Sequence, residues 1–100
     1  MAEGLTIEEL RSRIDVIDDQ LVRLLNVRVA CAVEVGRLKH EAGLPVYQPQ
    51  REAQVLAKVR QSATELSGPL TAEAVVRIFE RIIDEARRAE RQESDRRHGV

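Results

Sequence analysis

Two cations stand where a chain of this composition would be expected to place aliphatic side chains or leave solvent-facing ones. Arg28 falls between Leu24 and Cys31 in an apolar series that steps by three and four residues. Lys39 follows about three helical turns later at nearly the same angular position, so the two heads would face one lengthwise groove with about 16 Å between their backbones. Two long cationic side chains so placed could clamp a small dianion. The bland reading of Arg28 is that it fixes helix register or pairs with a structural carboxylate such as Glu52 or Glu90. That of Lys39 is a solvated lysine complementing a helix end. Position alone leaves both readings of Arg28 open.

Three further charges bear on the same question. Arg11 lies about 100° around the helix from Arg28, so it cannot easily serve the same pocket from the same chain, but it could reach the pocket of a twofold mate. Its plain alternative is a surface arginine near a helix start. Glu52 shares a face with Leu56, Val59 and Ala63, with Arg51 beside it at the helix mouth. It could accept a hydrogen bond from a substrate hydroxyl, or simply favour the helix dipole. Glu90 follows Ile83 and Ala86 at three-and-four spacing and so continues a buried stripe, although its place near the chain end favours solvent.

The elements that must position these groups are all helical. Thr6-Ile7-Glu8-Glu9 has the spacing of a capping box, and no breaker except Gly36 follows until Gly43 and Pro45, which predicts a first helix over residues 7–42. Such a rod is about 54 Å long, whereas a compact chain of this size has a radius of gyration of about 13 Å. Its seam reads Leu10, Ile14, Ile17, Leu21, Leu24, Cys31, Val35 and Leu38, with Arg28 filling the gap. No second helix of equal length exists to cover it, so the simplest partner is the same helix of a second copy. Pro49 opens a helix over 49–66 that stops before Gly68-Pro69. Thr71 caps a third over 71–92 with the stripe Val75, Phe79, Ile82, Ile83 and Ala86. Residues 93–100 read as a charged tail fraying into solvent. The fold class is all-α, one domain over residues 1–100, with a long first helix in an intertwined helical homodimer.

Composition narrows the function. In 100 residues, 16 basic and 17 acidic side chains are interleaved to a net charge of −1, and Tyr47 and Phe79 are the only aromatics. That disfavours nucleic-acid binding. Cys31 stands alone, and His40 and His98 look too scattered for metal chemistry. No apolar run is long enough for a membrane span, and the amino terminus, with Glu3, Glu8 and Glu9, does not read as a signal peptide, so a cytoplasmic protein is expected.

Together these residues resemble the all-helical class of chorismate mutase, a fold that occurs alone or fused to other shikimate-pathway enzymes. The likeness rests on Leu10-Arg11, Ile14-Asp15, Ile17-Asp18, Leu24-Leu25 with Arg28, and Val35-Gly36-Arg37-Leu38-Lys39. It continues through Pro45-Val46-Tyr47, Pro49, Arg51-Glu52, Val55-Leu56, Ile78-Phe79 and Ile82-Ile83. The resemblance implies a dimer with two shared sites, in which Arg11 of one subunit and Arg28 of the other hold the carboxylates of chorismate. It implies Lys39 at the ether oxygen, Glu52 and the backbone near Gln48 at the ring hydroxyl, and Arg51 on the carboxylate side. Three positions depart from the commonest pattern: Gln48 where aspartate is frequent, Ala86 where a serine often bonds a carboxylate, and Glu90 where a glutamine often faces the ether oxygen. The implied reaction, chorismate to prephenate, needs no cofactor and no metal. Alternatives on the same fold are an isochorismate pyruvate lyase, a 4-amino-4-deoxychorismate mutase, and a non-catalytic dimerisation or regulatory module.

Overall fold

A computed structural model of the chain describes residues 4–99 and contains three helices: α1 (Ile7–Glu41), α2 (Pro49–Leu66) and α3 (Ala72–Arg97). Each boundary has a local cause. Thr6 and Glu9 form the expected capping box, the Thr6 hydroxyl accepting from the Glu9 amide and the Glu9 carboxylate from the Thr6 amide, both at 3.1 Å. Beyond α1, Gly43 takes a left-handed φ of 69°, which a side chain would strain. Pro49 begins α2, where its missing N–H is no loss. The helix ends at Ser67 rather than at the neighbouring glycine, with Ser67 itself left-handed at φ 56°. The Thr71 hydroxyl accepts from the Ala74 amide at 3.0 Å to start α3.

The last helix corrects one expectation. Residues 93–97 are helical, not a frayed tail, and α3 continues through Arg97. Glu93 pairs with Arg96 and Arg97 one turn on, and the His98 ring sits 4.7 Å from that of His40, so the segment is held both along its own helix and against α1. The two imidazoles that look scattered in the sequence are therefore neighbours. Residues 1–3 and 100, including Glu3, lie outside the described residues.

Three contacts set the register of α1 on α3. The Arg28 guanidinium lies 5.9 Å from the Phe79 ring centroid, Gly36 faces Glu90, and His40 meets His98, so the two helices run parallel. Glu52–Arg87 and Arg60–Glu73 pair α2 with α3 in the opposite sense. α3 thus packs on both neighbours, while α1 and α2 share no packed interface.

Because α3 begins only about two turns before Phe79, roughly the first four turns of α1 reach past it. Every residue from Ile7 to Val27 is exposed, including the seam residue Leu24 at 65%. Among the described residues only Ala86 is buried, and the molecule measures 58 × 28 × 16 Å with a radius of gyration of 17.6 Å, well above the about 13 Å of a compact chain. Covering a Leu or Ile side chain contributes roughly 1.5–3 kcal/mol. The bare seam is therefore a substantial stabilisation that the single chain does not collect. No helix among the described residues is long and apolar enough to cross a membrane.

Candidate active site

The register places charges from all three helices at one end of the bundle. α1 contributes Lys39, α2 contributes Glu52 at its first turn, and α3 contributes Arg87 and Glu90. Lys39 is half-buried and its ammonium donates to the Val46 carbonyl at 2.8 Å, tying the last turn of α1 to the connection that leads into α2. Among the described residues it makes no ion pair, so its charge stays uncommitted.

Glu90 stands over Gly36. A Cβ built on that glycine would come within 3.1 Å of the Glu90 carboxylate oxygen, so the absent side chain makes the room in which the carboxyl lies. Burial there pushes the Glu90 pKa above its ordinary value; Lys39 and Arg87 pull it down, and Glu52 adds to the rise. A carboxyl so shifted keeps its proton to higher pH than an ordinary glutamate and can donate a hydrogen bond.

Arg28 lies about three turns before Lys39 on α1, half-buried, with its guanidinium over Phe79. Among the described residues it pairs with neither Glu52 nor Glu90, the two carboxylates considered for it. Glu52 instead accepts from Arg87 at 2.7 Å, and Arg87 also holds Asp84 on its own helix. Ala86 is 4% exposed, one helical turn before Glu90 on α3. Gln48 and Arg51 sit at the mouth: the Gln48 carbonyl accepts from the Arg51 and Glu52 amides, and both side chains line an open cavity of about 460 Å³ with Tyr47 and Gln54.

Of the residues singled out in the sequence, Lys39, Glu52 and Glu90 come together, with Ala86 one turn before Glu90, Arg28 lies further along α1 against Phe79, and Gln48 and Arg51 sit at the mouth of α2. Arg11 does not join them. It is exposed on the free end of α1, about 25 Å along the axis from Arg28.

Sequence reasoning missed two participants. Gly36 was legible as a glycine inside a helix, which costs about 1 kcal/mol against alanine and so points to a close approach. Arg87 opens a polar stretch that reads as solvated surface, and nothing in its spacing announces Glu52.

An all-helical chain that sets Arg28 and Lys39 on one helix, beside a carboxyl whose pKa burial raises, presents charges complementary to a small dianion. The chain belongs to the chorismate mutase type II family, whose profile matches residues 10–91. It is similar to the chorismate mutase of Thermus thermophilus in two forms. The TM-scores are 0.73 and 0.78 at 35% and 34% identity, covering 80% and 85% of this chain and 96% and 93% of those. It is also 38% identical over 78 residues to the bifunctional chorismate mutase/prephenate dehydratase of Aquifex aeolicus, covering 77% of this chain and 22% of that protein. The chorismate mutase of Methanocaldococcus jannaschii is 26% identical over 84 residues, covering 84% of this chain and 83% of its own length. The chain thus spans under a quarter of the bifunctional relative and most of the single-function ones.

Proposed function

We propose that this chain rearranges chorismate to prephenate, working in the cytoplasm as a homodimer whose two sites each draw on both subunits. The observation that carries the reading is the convergence of uncommitted Lys39, tethered Glu52 and shielded Glu90 at one end of the bundle, with Arg28 further along α1, in a chain of this family.

The reaction is a concerted shift in which a carbon–oxygen bond breaks as a carbon–carbon bond forms. It asks for no nucleophile. The protein has to hold a flexible dianion in a chair-like conformer and to stabilise negative charge gathering on the ether oxygen. Arg28, with Arg11 of the partner subunit, takes the two carboxylates, since a planar fork fixes orientation as well as charge. Lys39 lies beside the ether oxygen, where its charge counts more in the transition state than in the ground state. Glu52 accepts the ring hydroxyl with the backbone at Gln48, Arg51 supports the carboxylate side, and Ala86 contributes apolar wall. Glu90 donates to the ether oxygen as the neutral acid, because an ionised carboxylate has no proton to give and would repel the substrate.

The bare stripe on α1 supports the dimer. A second α1 crossing it would cover Leu10, Ile14, Ile17, Leu21 and Leu24 and carry Arg11 to the groove of the other subunit.

Loss of chorismate absorbance, followed across pH, tests the activity directly. Turnover is expected to fall as pH rises through the elevated Glu90 pKa, since the working form is the protonated one, and Glu90→Gln is expected to flatten that fall. A purified protein that leaves chorismate unchanged sinks the reading, and an unaltered profile in Glu90→Gln removes Glu90 from the mechanism.

A further inference from the structure

Arg87 is the one charged group at the site for which the proposed chemistry has no use. It is half-exposed, and its guanidinium spans two helices, anchored to Asp84 on α3 and donating to Glu52 Oε2 on α2 at 2.7 Å. It also lines, with Glu52, Leu56, Glu80, Ile83 and Asp84, a cavity of about 330 Å³ between α2 and α3. Arg87 therefore reaches Glu52 across the gap between α2 and α3. It still acts on the site's field, being one of the two cations that pull against burial at Glu90.

A carboxylate has two oxygens and about four lone-pair positions. Arg87 occupies Oε2, and among the described residues nothing donates to Oε1. Shared with Asp84, the guanidinium offsets only part of the negative charge, but it fixes Glu52 as an acceptor and sets a cation beside it, which suits a hydroxyl donor. An unpaired carboxylate would instead favour a cationic donor, and a primary amine is largely protonated near neutral pH. Arg87 would also repel such an ammonium.

We propose that Arg87 is a specificity-determining positioning residue: by tethering Glu52 and setting a positive charge beside it, Arg87 makes the site prefer a ring hydroxyl over a ring amine at the position Glu52 contacts. The inference rests on the proposed mutase activity and deepens it, since it sets chorismate against its 4-amino-4-deoxy analogue.

The test compares kcat/KM for the two compounds in wild type, Arg87→Met, which keeps an apolar stem without the charge, and Arg87→Lys, which keeps the charge. The ratio cancels any general loss of activity, so a merely structural role would leave it unmoved. Arg87→Met should shift the ratio towards the amine by about tenfold, whereas Arg87→Lys should stay within about twofold of wild type. Arg87→Gln, which retains a donor for Glu52, serves as a second uncharged variant if the helical circular dichroism of Arg87→Met shows it unfolded. The inference is overturned by an unchanged ratio in a folded uncharged variant, by equal shifts in the lysine and methionine variants, or by a folded methionine variant inactive on both compounds. A wild type that ignores chorismate fails the underlying mutase reading instead. A wild type that converts chorismate, with a ratio indifferent to Arg87, fails this inference alone.

Discussion

The two halves of α1 carry the same apolar periodicity but lead different lives. From Arg28 onward the helix has α3 alongside it, which partly covers Arg28, Val29, Val33, Gly36 and Lys39, while the seam residues Cys31, Val35 and Leu38 stay exposed. Before Arg28 every residue is exposed, seam leucines and isoleucines included. One interface is therefore built within the chain, and a second, along the seam, stays bare over the whole helix. The proposed chemistry sits where the first is complete. Arg11, on the bare half, makes sense at the site only if the second is completed by a twofold mate.

The contrast between the halves breaks most decisively at the cations of the covered one. Arg28→Ala and Lys39→Ala should each lower turnover of chorismate by about two to three orders of magnitude, while sedimentation still shows the dimer. Near-normal rates in either would mean that the covered half does not hold the site.

Subunit mixing sharpens the role of the bare half. Arg11→Ala and Arg28→Ala homodimers should each be nearly inactive. Unfolded together and refolded as a mixture, they should recover about a quarter of wild-type activity, because half the dimers are mixed and each has one intact site of two. If the mixture stays as inactive as its parents, Arg11 and Arg28 do not meet across subunits.

A smaller effect is expected at the closest α1–α3 approach. In Gly36→Ala the new methyl forces the Glu90 carboxyl aside by a few tenths of an ångström, and turnover should drop about tenfold. The helix itself gains up to about 1 kcal/mol from replacing glycine, so the variant should melt no earlier than wild type. Unchanged turnover would show that Glu90 does not need the place it holds.

The smallest effect lies outside both halves. Ser67 is left-handed without being glycine, so Ser67→Gly should stabilise the protein by about 0.5–1 kcal/mol, read from denaturant melts, with kinetics untouched. A loss of stability there would mean that the Ser67 side chain contributes more than its backbone strain costs.

Much of the fold was legible because helix ends are local events. Thr6 with Glu9, Pro49 and Thr71 each state a boundary within a few residues of chain, and the boundaries fall at or within a residue of where those signals put them, the carboxyl end of α3 excepted. That end was misread because a run of charges looks solvated until its members are seen to pair with each other and to lean on α1. At the site, Lys39, Glu52 and Glu90 stood out by breaking or extending apolar stripes, which is again a property of a single helix.

By itself, the sequence determined three helices, a first helix too long for its own chain, and the angular position of each charged group on its helix. Tertiary structure alone decided which charges meet. Arg87 and not Arg28 reaches Glu52, Gly36 makes room for Glu90, and two distant histidines touch. The physical reason is that rotation about a helix axis follows from residue spacing, whereas the sliding of one helix along another is set by the connections and by how the side chains interlock. A shift of one turn, about 5.4 Å, would exchange every partner across the interface without altering any helix.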